Sequence, residues 1–268
     1  MKQLVMKNPL WRNPMIVKTF GSQDQDTLLL LHGGGLSWWS YQKAAALFAT
    51  QHYHVVLPIL DGHAESDTPF SSIEQNAARI IAYIDTHFNG HIKMIAGLSL
   101  GAQILLEILS QRNNICDYAV VESALVIPMK LTNHLLAPCV ALSYPMMKNR
   151  LFARLQFHSL HLPPELFENY YRDTCLIQKD SMISFLKANS LYVLKDALTN
   201  TTSKVLIMVG GREISKMRRS AHKLHMLLTN ANITSALVIF DTWNHGEASI
   251  LHPAQYVNTI IQFMNQIY

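Results

Sequence analysis

The chain has 268 residues, of which 49% are apolar and only 15% charged. That excludes a disordered polymer, which needs high charge and low hydrophobicity. Twenty-two basic against eighteen acidic residues leave a net charge of +4, too mild and too scattered to imply nucleic acid.

Short apolar runs at 27–31 (TLLLL), 55–58 (VVLP), 93–96 (KMIA), 119–121 (AVV), 205–209 (VLIMV) and 237–240 (LVIF) predict buried strands. The stretches between several of them carry helical spacing. Ser71 and Glu74 form a capping box ahead of an apolar stripe on Ile73, Ala77, Ile80, Ile81, Ile84 and Phe88. Ile104, Leu105, Ile108 and Leu109 make a second stripe after Ser99. Met217, Ala221, Leu224 and Leu228 make a third, interleaved with Lys216, Arg218, Arg219 and Lys223 as a solvated basic face. Pro253 opens a last helix with Val257, Ile260, Ile261 and Met264 inward. This alternation predicts an α/β fold with a mainly parallel central sheet flanked by helices.

The alternation stops between about 128 and 203, where no strand is predicted. Helical patches, prolines and many Met, Leu and aromatic residues fill that stretch. It reads as a helical cap inserted between two sheet strands. The division expected is a first core part at 1–127, a cap at 128–203 and a second core part at 204–268. Met129 and the aromatic residues of the cap favour a hydrophobic substrate group, or serve only as packing.

Cys116, Cys139 and Cys175 are odd in number and widely spaced, which argues against disulfides and zinc and for a reducing compartment. Residues 1–20 contain no leader-like apolar stretch, and the longest mostly apolar stretch, 135–147, holds two prolines and is too short to span a membrane. The expectation is a cytoplasmic protein without stable membrane insertion.

Gly97-Leu98-Ser99-Leu100-Gly101 falls between a predicted strand and a predicted helix. In that context G-x-S-x-G places a serine on a tight turn, with small residues two positions away on each side. His32-Gly33-Gly34-Gly35 follows the strand at 27–31, and its N–H groups can face an oxyanion. It lacks G-x-G-x-x-G spacing and a following Walker lysine, which argues against nucleotide binding.

Together these segments resemble the α/β-hydrolase-fold serine hydrolases, esterase-like and with a lid. The loop Pro58-Ile59-Leu60-Asp61-Gly62-His63-Ala64-Glu65-Ser66, the segment Val209-Gly210-Gly211-Arg212-Glu213 and Trp243-Asn244-His245-Gly246, with Pro253 beyond it, resemble further motifs of that family. The resemblance implies a Ser-His-Glu triad of Ser99, His245 and Glu213, in the family's chain order. Glu122, after the strand at 119–121, is an alternative acid, and Asp241 a third. Arg212 could instead pair with Glu213. The implied oxyanion hole uses backbone N–H of Leu100 with Gly34 or Gly35. Trp38 is a pocket wall or a brace for the next helix. No metal and no cofactor are expected. The implied activity is metal-independent hydrolysis of a small hydrophobic carboxylic ester through an acyl-enzyme. Acyl transfer, thioester cleavage and carbon–carbon bond hydrolysis use the same trio, and a hydrolase-derived small-molecule sensor would keep the pocket without turnover.

Overall fold

The run Thr27–Leu31 (β2) is buried at every position, and so is His54–Pro58 (β3). A strand with no exposed face needs a layer on each side, and the computed structural model, which describes residues 14–265, supplies both. Side chains alternate across the sheet. Leu29 and Leu31 join an apolar cluster with Ile80, Ile104 and Leu224. Leu28 and Leu30 join a second cluster with Trp39, Phe48, Tyr256 and Ile260. The helices supplying the first cluster are α2 (Ile73–Phe88), α3 (Leu100–Gln111) and α8 (Ser215–Asn230). Those supplying the second include α1 (Gln42–Thr50) and α10 (Pro253–Asn265).

The remaining strands are β1 (Val17–Phe20), β4 (Ile92–Leu98), β5 (Cys116–Glu122), β6 (Lys204–Gly210) and β7 (Ser235–Phe240). The sheet order is β1-β3-β2-β4-β5-β6-β7. Every neighbouring pair is parallel except β1 with β3. The chain winds outward from β2 to β3, then returns past β2 to β4. The carboxyl ends of β2 and β4 therefore border the switch point, where open α/β sheets hold their ligands.

All six predicted strands are present, several longer by one to three residues at an end. β1 is missing from the prediction because an edge strand reading VKTF is only half-buried and carries no apolar run. The cap of α2 lies one residue later than predicted. Ser72 is the N-cap and its Oγ accepts the Gln75 N–H at 3.1 Å, while Ser71 Oγ donates to Gln75 Oε1. The Glu74 carboxylate instead receives Lys195. The basic face of α8 is partly tied down: Lys216 and Arg218 donate to the carbonyls of Pro128 and Gly211.

Between β5 and β6 the chain is helical, with α4 (Lys130–Met147), α5 (Arg150–Ser159), α6 (Phe167–Leu176) and α7 (Lys179–Leu191). A short α9 (Glu247–Ile250) precedes α10. Trp39 Nε1 donates to Asp173 Oδ2 at 2.7 Å, bracing α6 against the turn after β2. Residues 1–13, where the sequence predicts no leader, and 266–268 lie outside the described residues. Among the described residues no helix is long and apolar enough to cross a membrane.

The sequence gives no hint of one buried ion pair. Asp61, just past β3, pairs with Arg79 of α2, and both side chains are at most 7% exposed. Asp61 N–H also donates to Asn76 Oδ1. Burial already pushes the Asp61 carboxyl up to about 6, so without Arg79 it must stay charged and unpaired or take up a proton, and either is costly. Arg79→Met should therefore lower unfolding stability by about 3–5 kcal/mol, measured by urea denaturation.

Candidate active site

Ser99 lies between the last residue of β4 and the first of α3, with φ +54° and ψ −110°. A non-glycine residue is strained there, so the surroundings must over-determine the turn. Gly97 and Gly101 show how. A Cβ on Gly97 would lie 2.4 Å from the Gly101 carbonyl oxygen, and one on Gly101 would lie 2.1 Å from that of Leu31. Only glycine permits this approach of helix to strands. The Ser99 N–H is held by the Glu122 carbonyl at 2.9 Å. Leu100 opens α3, so its N–H has no partner within the helix.

A second pair of backbone approaches brings the other two residues together. A Cβ on Gly210 would meet the Trp243 carbonyl oxygen at 2.3 Å, and one on Gly211 would meet that of Asp241 at 2.5 Å. Gly211 N–H bonds to Phe240 O, and Arg212 N–H to Trp243 O. The loop after β6 is thus laced to the loop after β7. His245 Nδ1–H donates to Glu213 Oε2 at 2.7 Å, which in the neutral ring leaves Nε2 as the unprotonated nitrogen. Glu213 Oε1 accepts from Ser123 Oγ at 2.7 Å and from Gly210 N–H at 2.7 Å.

The electrostatics follow from this arrangement. Burial opposes the Glu213 charge, but hydrogen bonds and the His245 charge outweigh it and hold the carboxyl below its ordinary range. Partial burial likewise opposes the His245 cation. The bond and charge of Glu213, with the nearby Glu122, outweigh it and raise the imidazole above its ordinary 6.5.

Glu122 makes no bond to His245. It lies two residues beyond Val120, on the same face of β5, and so turns toward Tyr41 and Tyr256. Its Oε1 accepts the Ser249 N–H of α9, while Oε2 has no hydrogen-bond partner among the described residues. Burial pushes this carboxyl up to about 7. Asp241 is exposed and makes no bond to His245. Arg212 does not pair with Glu213, whose oxygens are taken up by His245, Ser123 and Gly210.

Ser99 and His245 together border two cavities. The larger, about 430 Å³, is bounded by Leu125, Met129, Leu160, His161, Asn189, Arg212 and Met217 among others. The smaller, about 80 Å³, is bounded by Gly33, Gly34, Leu36, Leu98, Leu162 and Ile250. Gly34 faces this space; Gly35, at φ +75°, does not line it. Trp38, expected as a possible wall, borders neither cavity. It sits in the 3-10 turn Trp38–Tyr41, with Lys18 of β1 over its ring. Among the Met and aromatic residues of 128–203, Met129 reaches the larger cavity, whereas Phe157, Phe167, Tyr170 and Met182 are buried as packing.

His32 and His63 support the loops. His32 Nδ1–H donates to Gly33 O and Nε2 accepts the Leu60 N–H, which ties the glycine loop to the end of β3. Burial holds His32 down to about 3, so it stays neutral. His63 stacks on Phe185 of α7. Ser123, Ser159, His161 and Asn189 were not singled out by sequence reasoning. Ser123 carried no signal, because its contact depends on β5 lying next to β6.

A mostly parallel sheet of this order, with a strained serine at the end of β4 and a histidine–carboxylate pair beside it, defines the α/β-hydrolase class. The chain belongs to the alpha/beta hydrolase family, whose model matches residues 28–259. It is 28% identical over 134 residues to an AB hydrolase superfamily protein of Gibberella zeae, an alignment covering 49% of this chain and 46% of that one. The match thus spans about half the length of that relative. An esterase from Exiguobacterium antarcticum superposes with a TM-score of 0.78 at 16% identity, covering 94% of this chain and 96% of that one. The enol-lactonase of Burkholderia xenovorans superposes at 0.76 and 15% identity, with the same coverages. A thermophilic esterase from Thermogutta terrifontis superposes at 0.75 and 14% identity, covering 93% and 92%. At these identities the likeness is one of fold.

The His245 bond gives a measurable sign. In Glu213→Gln the acceptor charge is lost while partial burial remains, so the His245 pKa should fall relative to the wild-type protein. An NMR titration of the imidazole Cε1–H in both proteins reads this directly, and an unchanged pKa would contradict the bond.

Proposed function

We propose that the protein is a serine hydrolase acting on carboxylic esters. The observation that supports this most is the buried Glu213 carboxylate, held by Ser123 and Gly210 and bonded to His245 at 2.7 Å beside a strained serine. A serine hydroxyl needs a base to become a nucleophile at neutral pH. With Nδ1–H committed to Glu213, the unprotonated Nε2 of His245 takes the Ser99 proton as Oγ attacks the ester carbonyl. The oxyanion is met by backbone N–H of Leu100 and of the glycine loop at Gly34. His245 then protonates the departing alcohol. Water deprotonated by His245 cleaves the acyl-enzyme and restores Ser99.

The two unequal cavities suit an ester with two unequal arms. At about 30 Å³ for each water-sized group, the smaller space holds roughly three non-hydrogen atoms. Its leucine and isoleucine lining favours a short apolar arm. Residues 128–203 act as the cap, since Met129, Ser159, Leu160, His161 and Asn189 close one side of the larger cavity.

A fluorophosphonate probe tests the nucleophile. The adduct should map to Ser99 by mass spectrometry, and Ser99→Ala should abolish labelling and lower ester turnover by roughly 10⁴–10⁶-fold. A folded wild-type protein that neither labels nor hydrolyses short esters would overturn the reading. Ser123→Ala tests the support behind the acid. It removes one of the two donors to Glu213 Oε1 and should lower kcat about tenfold with KM little changed.

A further inference from the structure

α4 presents a problem of exposure. It has 18 residues and is largely apolar, yet only Val140 and Met147 are buried. Leu131, Leu135, Leu142 and Met146 are 50–80% exposed. Their spacings of four, seven and four place them along one stripe of the helix, opposite the buried pair. α5 follows the same plan, burying Ala153 and Phe157 and exposing Leu151 and Leu155 at 70% and 66%. Seven of the thirteen large apolar side chains exposed among the described residues fall within 131–160. Scattered exposed leucines are ordinary, but a concentration on two consecutive helices marks a surface that meets something.

Charge selects what it meets. Residues 130–159 contain Lys130, Lys148, Arg150 and Arg154 and no Asp or Glu. Arg150 is paired with Glu168 of α6. Arg154 lies 5.2 Å over the Phe167 ring and Lys148 lies 5.8 Å over that of Tyr144, and Lys130, Lys148 and Arg154 pair with no carboxylate among the described residues. Two copies meeting across a two-fold axis would set this cationic surface against itself. An anionic lipid surface satisfies both features at once: the leucines enter the acyl boundary and the cations meet the headgroups.

We propose that the α4–α5 segment docks the protein on an anionic lipid bilayer. This is attachment in the plane of the interface, not a membrane span. The excursion leaves the larger cavity at Met129 and returns to it at Ser159, Leu160 and His161. The docked segment is therefore continuous in the chain with the residues that line the Ser99 cavity. That the bilayer supplies amphiphilic esters rests on the hydrolase reading; the docking itself does not.

Co-sedimentation with vesicles, carried out without substrate, tests it. The full chain should pellet with phosphatidylcholine–phosphatidylglycerol vesicles and bind phosphatidylcholine alone at least about tenfold more weakly. High salt should weaken the binding. The triple variant Leu131→Ser, Leu135→Ser, Leu142→Ser should lose more than about tenfold in vesicle affinity. Its melting temperature and turnover of a soluble short-chain ester should stay unchanged. Lys130→Glu with Lys148→Glu should lose binding to the anionic vesicles by a similar factor. Absence of vesicle binding by the folded wild-type protein, or a triple variant that binds as well as it does, would overturn the proposal. A wild-type dimer that the triple variant dissolves, with no vesicle binding, would also overturn it and make a second copy the occupant. The vesicle-binding and melting readouts stand whether or not Ser99 is the nucleophile.

Discussion

A carboxylate buried to 1% side-chain exposure is the constraint on which the site depends. Left alone in a protein interior, the Glu213 charge would be costly or would be lost by protonation. Three donors from three parts of the chain keep it ionised: Ser123 after β5, Gly210 at the end of β6 and His245 after β7. Satisfying one charge thus holds three successive strand ends together. It also fixes the His245 tautomer, which the proposed chemistry requires.

The sheet makes this convergence possible. β4 to β7 are adjacent and parallel, so their carboxyl ends lie on one edge. The segment Glu122–Ser123 serves two of them at once, holding the Ser99 N–H through a carbonyl and Glu213 through a hydroxyl. Glu122 adds a third tie through its carboxylate to Ser249, just beyond the histidine loop. Glycines at 97, 101, 210 and 211 allow the loops to pack backbone against backbone, where a methyl group would overlap a carbonyl oxygen. The strain at Ser99 persists because these contacts leave the turn no alternative.

The helices between β5 and β6 are held differently. α7 packs Phe185 against His63 and Met182 into the core, whereas α4 buries only two residues. One side of this segment is anchored to the sheet domain, and the other displays leucine and lysine to the surroundings. Part of the cavity wall and the exposed stripe are built from the same excursion.

Periodicity and glycine placement made the parallel sheet, the helices facing it and the serine turn legible in the sequence. A buried strand needs a continuous apolar run, and a serine turn this tight needs glycine two residues away on each side. Those are local requirements, and local sequence records them. The edge strand β1, the Asp61–Arg79 pair and the contact of Ser123 with Glu213 are not local. Each joins residues whose types, taken alone, are ordinary for loops, helices or half-buried edges. The choice between Glu213 and Glu122 as partner of His245 was likewise open to the sequence. It is decided by which face of β5 the Glu122 side chain occupies and by how closely the loops after β6 and β7 approach. Only the folded sheet sets those distances, because they depend on strand order and register rather than on neighbours in the chain.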